Sequence, residues 1–361
     1  MTRGGWAAVG IASARGLPSE ARNLSRGIFP MSVIQVSALT KAFRTYKKQP
    51  GFLGAVRDLV SRRYDTTLAV RDVSFRVEEG EFVGFLGPNG AGKTTTLKML
   101  SGLLHPTGGT ASVLGYTPWE RKDGYRRQFA LLLGQKNQLW WDLPARESLA
   151  LNARIYGIAP AQFERTVAEL SELLAVREKL DVMVRELSLG ERMKLELIAA
   201  LLHQPKVLFL DEPTIGLDVV SQKIVRDFLR NHNATRKTTI LLTSHYMADI
   251  QELCQRVIII DRGTIFFDGR LSEVIDRFAD CKLITIRLAP AAASVAGVVC
   301  DRRQLESYGE VVEQTPAIVK LKVKRGRVIP VCKALLDELP VSDIDIEEVP
   351  IEEIIRQLFA R

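Results

Sequence analysis

Apolar and polar positions alternate in two different styles along this chain. Between residues 32 and 280, short runs of apolar residues are interleaved with longer stretches whose apolar positions recur every three to four residues. The short runs predict strands at 69–77, 81–86, 207–210, 239–243 and 257–260 and, over 32–43, a strand followed by a turn. Strands apolar at nearly every position need cover on both faces. Their alternation with helical patterns therefore predicts a largely parallel α/β sheet with both faces packed. Helical spacing predicts a helix over 95–104 and dominates from about 146 to 202, with turns at Glu79-Gly80 and at Pro106-Thr107-Gly108-Gly109. Beyond Cys281 the style changes. Strands at 283–288, 318–323 and 344–346 and helices at 331–339 and 350–359 predict a small α+β domain of roughly 80 residues.

Two stretches stand outside these patterns. Residues 1–30 carry several arginines, one acid (Glu20) and no sustained period. They read as a disordered leader, with a targeting peptide or a mis-assigned start before Met31 as the alternatives. Residues 44–71 form a basic insertion in which Phe52, Leu53, Val56, Leu59 and Val60 share one helical face. That face either packs on its own domain or docks on a membrane partner or anionic headgroups. The expected organisation is thus a leader at 1–30, an α/β domain at 31–280 with a helical subdomain at about 136–202, and an accessory α+β domain at 281–361.

Composition narrows the picture modestly. A chain of 361 residues, 46% hydrophobic and 25% charged, has the apolar mass for a packed core and the length for two domains. A net charge of +8 favours an acidic partner, but the basic residues are dispersed, and no nucleic acid is expected. Cys254, Cys281, Cys300 and Cys332 lack CxxC or metal-ligand spacing and read as reduced thiols. No apolar run approaches the roughly 20 residues of a membrane-spanning helix.

The chemistry is concentrated in three motifs. Residues 84–95 read GFLGPNGAGKTT, and Gly87 to Thr94 fit the phosphate-loop pattern GxxxxGK[ST] between a predicted strand and a predicted helix. Gly87, Gly90 and Gly92 let the backbone of Pro88, Asn89 and Ala91 curl with its N–H groups inward, and the following helix adds its positive end. Lys93 can reach β- and γ-phosphates, and the Thr94 hydroxyl, with Thr95 beside it, can ligate Mg²⁺, so ATP with Mg²⁺ is the expected ligand. Four apolar residues then run into Asp211 and Glu212, which suits a strand delivering two carboxylates to the ligand edge of a sheet. Asp211 is expected to hold Mg²⁺ and Glu212 to deprotonate the attacking water. Finally, Ser188, Leu189, Gly190 and Glu191 open a helical run with a capping-box spacing, and a capped helix start is also an anion site.

In this order and spacing the motifs resemble the nucleotide-binding subunit of ATP-binding cassette (ABC) transporters, over about residues 32–280. The resemblance implies a P-loop ATPase with a helical signature subdomain. The signature is usually LSGGQ; here Leu189 replaces a glycine and Glu191 the glutamine, and the motif is expected to face ATP held by the opposite subunit. Gln135, or alternatively Gln138, matches the loop glutamine that senses Mg²⁺ and couples to the membrane subunit. Asp218, in Gly216-Leu217-Asp218, matches a loop facing the partner subunit. His245 matches the switch histidine on the γ-phosphate. Phe43 sits where the family stacks an aromatic on adenine, with Tyr46 and Tyr64 as rivals. The implied partners are a separate permease and a second ATPase subunit, identical or related, on the inner face of the cell membrane. The tail resembles the accessory domain of the drug, polyketide and lipid exporter branch, which implies export. The competing readings are a soluble cassette ATPase acting on ribosomes or on DNA. The first usually carries two cassettes in one chain, and the second needs a long heptad insertion; this sequence has neither.

Overall fold

The computed structural model of the protein describes residues 32–46, 64–134, 138–244, 246–278, 280–289, 302–351 and 353–355. The leader, the apolar face at 52–60, Gln135 and His245 lie outside them. The centre is a six-stranded sheet. It is built from β3 (Phe82–Leu86), β5 (Phe129–Leu133), β6 (Val207–Asp211), β7 (Thr239–Thr243), β8 (Arg256–Asp261) and β9 (Thr264–Arg270), in the order β5-β6-β7-β3-β8-β9. All neighbours are parallel except the β8–β9 hairpin. Every residue of β3, β6 and β7 is buried, as expected for strands covered on both faces.

Alternate residues of those strands serve two different cores. Leu208, Leu210, Ile240, Leu242 and Leu86 face the helices α2 (Ala145–Tyr156), α3 (Pro160–Leu173), α4 (Leu189–Leu201) and α5 (Val219–Arg236). Val207, Phe209, Leu241, Val83 and Phe85 face the other way, toward α1 (Lys93–Leu100) and a separate antiparallel sheet. That sheet consists of β1 (Ser32–Tyr46), β2 (Tyr64–Glu78) and β4 (Gly108–Val113), in the order β2-β1-β4.

This second sheet departs from the sequence reading at two places. The flanks of the basic insertion are strand, since Arg44 pairs with Thr66 and Tyr46 with Tyr64. Arg44, Asp65 and Thr66 are exposed, so this part of the ladder carries no apolar period to reveal it. The expected turn at Gly108-Gly109 is the start of β4. Gly109 has φ +79°, and a Cβ there would meet the Ala38 carbonyl oxygen at 2.2 Å, so glycine serves a tight inter-strand approach rather than a turn.

The C-terminal part forms an antiparallel sheet of β10 (Cys281–Leu288), β11 (Glu310–Gln314), β12 (Ile318–Lys324) and β13 (Val341–Glu348), in the order β11-β12-β10-β13. The helices α8 (Arg302–Tyr308) and α9 (Val328–Glu338) bury Leu305, Val331 and Leu335 against Ile284, Ile286, Val319 and Leu321. The chain after β13 leaves that core. Val349, Ile351, Ile354 and Ile355 are buried in the same core as Phe267 of β9 and Val274 of α7 (Leu271–Phe278). Lys322 of β12 reaches Glu353 at 2.6 Å across the seam.

Candidate functional site

The parallel strands all end at one edge, and the predicted motifs that the structure describes gather there or on helix starts next to it. The loop between β3 and α1 begins at Gly87, where a Cβ would lie 2.3 Å from the Ile260 carbonyl oxygen. It ends at Gly92, the N-cap of α1, with φ +108° and room for no side chain against the Ala69 carbonyl oxygen. Backbone crowding therefore requires glycine at both ends, and the first N–H groups of α1 remain as donors for an anion. Lys93 is buried and donates from Nζ to the carbonyl oxygens of Gly87 (2.7 Å) and Pro88 (3.1 Å). Burial pushes its ammonium below the usual lysine range, against the opposing pull of the Glu212 and Asp211 carboxylates.

Two strands away, the Asp211 carboxylate accepts hydrogen bonds from Thr94 Oγ1, at 2.9 and 3.1 Å, and from Thr243 Oγ1, at 2.7 Å. The parallel β6–β7 register places Thr243 opposite Asp211, so the sheet itself aims both at the loop. Glu212 follows with φ +56°, a left-handed conformation that a non-glycine residue rarely adopts. Its N–H donates to the Thr243 carbonyl oxygen at 3.0 Å. Gly134, at the end of β5, lies so close that a Cβ would meet the Glu212 carbonyl oxygen at 2.6 Å. Strained backbone fixed from both sides holds this carboxylate at the sheet edge.

These residues fit Mg²⁺. Thr94 and Asp211 present hydroxyl and carboxylate oxygens within hydrogen-bond distance of each other, the hard donors that Mg²⁺ takes alongside water and substrate phosphate. The loop beside them keeps its course only with glycine at Gly87 and Gly92, where a Cβ would meet the Ile260 and Ala69 carbonyl oxygens.

The signature segment sits on a different helix start. Ser188 Oγ accepts from the Glu191 N–H (3.3 Å), and Glu191 Oε2 accepts from the Ser188 N–H (2.9 Å), completing the capping box. The Ser188 N–H first, then Lys179 at 3.0 Å, hold the Glu191 carboxyl below its ordinary range. Glutamate therefore serves the cap here where the family pattern has glutamine. Leu189 is 38% exposed and lies against Gly216. Gly190 abuts Ser221, so close that a Cβ would meet Ser221 Oγ at 2.7 Å. Asp218 caps the adjacent α5 by accepting from the Ser221 N–H at 2.9 Å, which lowers its pKa. Two capped helix starts thus lie side by side. Among the described residues no hydrogen bond or ion pair joins 188–191 to the loop at 87–95.

Phe43 is 40% exposed on β1 and has the Lys41 ammonium 5.3 Å from its ring centre. It pairs with Thr67 of β2, two residues before the Ala69 that touches the loop at Gly92. Gln138 Nε2 donates to the Leu131 carbonyl oxygen at 2.6 Å, which anchors it to β5.

Sequence reasoning missed Asp249. This fully buried carboxylate of α6 (Met247–Leu253) accepts from Ser244 Oγ (2.6 Å), Arg226 (3.1 Å) and Thr214 Oγ1. It thereby ties the residue before His245 to the loop after Glu212. An acid four residues after a candidate switch histidine, at a helix start, was the available signal.

Comparison with known proteins follows the same outline. The family profile described as "ABC transporter" matches residues 70–215, and the one described as "EvrA-like ABC transporter, C-terminal domain" matches residues 280–347. The Nod factor export ATP-binding protein I of Burkholderia orbicola (strain AU 1054) is 37% identical over 272 residues, covering 74% of this chain and 89% of that protein. The ABC transporter ATP-binding protein NatA of Bacillus subtilis (strain 168) is 37% identical over 206 residues, covering 57% and 83%. A solved ATP-binding subunit of an ABC transporter superposes with a TM-score of 0.57 at 29% identity, over 68% of this chain and 93% of that one. A dimeric ATP-binding cassette in a post-hydrolysis state with ADP and Pi shares the fold, with a TM-score of 0.56 at 20% identity over 66% and 98%.

Proposed function

The chain belongs to the ATP-binding subunits of ABC transporters, and on that premise we propose that it hydrolyses ATP as a head-to-tail dimer to drive export through a separate membrane permease. Among the described residues no helix is long and apolar enough to cross a membrane, so in this reading the permease supplies the membrane part and the subunit sits on its cytoplasmic face. Export follows the relatives named for Nod factor export, and an accessory domain from residue 281 fits the same branch. The observation that carries the reading is the Thr94–Asp211 contact with Glu212 strained beside it at the sheet edge.

In this reading the loop N–H groups and Lys93 cradle the β- and γ-phosphates, and Phe43 stacks on adenine. Thr94 and Asp211 would hold Mg²⁺, with Gln135 as a further candidate, and the bound ion would supply positive charge to offset that of the phosphates. Glu212 orients a water and takes its proton, and His245 donates to the γ-phosphate. Ser188, Leu189, Gly190 and Glu191 serve the nucleotide of the opposite subunit, with Asp218 at the same interface.

The test is Glu212→Gln, which keeps size and removes the base. ATP binding should persist while turnover falls by roughly 10²–10⁴, the usual worth of a general base. An ATP-bound dimer should then accumulate on a sizing column. Wild-type turnover in this variant would remove Glu212 from the role and the reading with it.

A further inference from the structure

The edge of the central sheet opposite the phosphate loop carries a cleft of about 1120 Å³. Its apolar wall comes from three helices: Leu170 and Leu173 of α3, Leu201 of α4, and Ile224 and Phe228 of α5. Leu173 stands 57% exposed there. Lys206 and Lys237, which precede β6 and β7, line the same cleft. The Thr239 N–H donates to the Lys206 carbonyl oxygen at 2.9 Å, so the two lysines leave from neighbouring strand starts, about 4.8 Å apart. Both residues are exposed, and neither side chain has a hydrogen-bond or ion-pair partner among the described residues. Most other charges of the cleft are paired. Arg236 meets Glu169 at 3.4 Å, and Asp227 meets Arg230 at 3.0 Å. His232 Nε2 lies 3.2 Å from Thr238 Oγ1; burial, then Arg236, pushes the ring to about 4, so it is neutral at pH 7. With Glu79 as the remaining acid, the cleft keeps two free cations to one carboxylate.

An apolar wall with a few convergent polar groups is the ordinary form of a small-molecule site. We propose that this cleft binds an amphipathic carboxylate, a medium-chain fatty acid, with its tail along Leu170, Leu173, Ile224 and Phe228 and its head at Lys206 and Lys237. The residual positive charge selects a monoanion: a neutral amphiphile leaves both ammonium groups without a counter-charge, and a cationic one is repelled. Aliphatic side chains form most of the wall, and the Phe228 ring is already stacked on His232 at 5.7 Å. That favours an alkyl body over a stacking aromatic one. The site is separate from the nucleotide. Lys206 precedes the first residue of β6 and Asp211 is its last, so five residues at roughly 3.3 Å each put about 16 Å of strand between the two edges. The inference needs neither ATP hydrolysis nor a permease, so it stands or falls apart from the function proposed above.

The experiment titrates decanoate into the full chain by calorimetry, at concentrations below those at which the probe forms micelles. Saturable binding at one site per chain is expected. Octanoate should bind about tenfold more weakly, since each buried CH₂ is worth roughly a fourfold change in affinity. Decanol, with the same tail length and no charge, should bind roughly fivefold more weakly, the upper worth of an exposed ion pair. The double variant Lys206→Gln with Lys237→Gln should lower decanoate to the level of decanol and leave decanol unchanged. Both lysines are exposed, so the fold should persist, and a melting curve checks it. Leu173→Ser, also at an exposed position, should weaken both probes alike. Saturating ATP should not compete with decanoate. Absence of saturable binding, equal affinity for decanoate and decanol, or unchanged decanoate affinity in the double lysine variant would overturn the proposal. So would competitive displacement by ATP, which would place the probe at the phosphate loop.

Discussion

Glu196 sets a pH dependence that a single substitution can read. Its carboxyl is raised from 4.5 to about 7 by burial. Between those values the folded chain keeps a proton that the unfolded chain has released, so this group's contribution to stability falls as pH rises through that window. Glutamine does not titrate. The melting temperature of Glu196→Gln relative to wild type should therefore climb between pH 5 and pH 8, by several degrees for a protein of this size. A difference that stays constant over that range would place the Glu196 pKa near its ordinary value. At the same scale, Asp211 and Glu212 show how two adjacent acids acquire different surroundings. Asp211 takes hydroxyl hydrogen bonds from Thr94 and Thr243, whereas the Glu212 backbone is turned into the left-handed region. The apolar run before the two acids announced their edge position. The φ of Glu212 was not legible, because it depends on the approach of Gly134 from another strand.

At the scale of elements, the decisive arrangement is the pair of helix starts at Ser188 and Asp218. Each cap was readable locally, since Ser188 and Glu191 stand at capping-box spacing. Their adjacency was not, because it is made by Gly190 packing on Ser221. A bulky cation at Ser188 would obstruct whatever faces this helix start without touching the loop at 87–95. Ser188→Arg should thus abolish hydrolysis while monomers still bind ATP. Mixed with Lys93→Ala subunits it should recover activity only if one intact composite site suffices, so the sharper measurement is the state of assembly. Hydrolysis by a strictly monomeric species would contradict a site shared between subunits.

At the scale of the whole molecule, the C-terminal sheet has its own core, yet the chain that follows it returns to the core shared with β9 and α7. Ile351 and Ile354 are nearly fully buried there. Removing such side chains costs roughly 2–5 kcal/mol each, so Ile351→Ala with Ile354→Ala should lower the thermal midpoint of the nucleotide-binding part, not only of the C-terminal sheet. Truncation after Glu348 should have the same sign. Melting followed with and without ATP checks this, and an unchanged ATP-dependent midpoint would show that the returning segment is dispensable for the ATPase core.

The sequence by itself determined what is local. The phosphate loop, the acid pair and the helix cap are each encoded in a few consecutive residues. The central strands were legible because solid burial on both faces leaves an uninterrupted apolar run. Tertiary structure decided what depends on distant backbone. In the antiparallel sheet most of β1 and β2 was legible, but the ladder near Arg44 is partly polar and β4 opens with two glycines, so those parts have neither period nor composition to mark them. The role of Asp249 arises only where Thr214, Arg226 and Ser244 converge from three separate segments. The return of Ile351 and Ile354 to the first core likewise has no local signal, because an apolar helix face does not specify which of two cores it will cover.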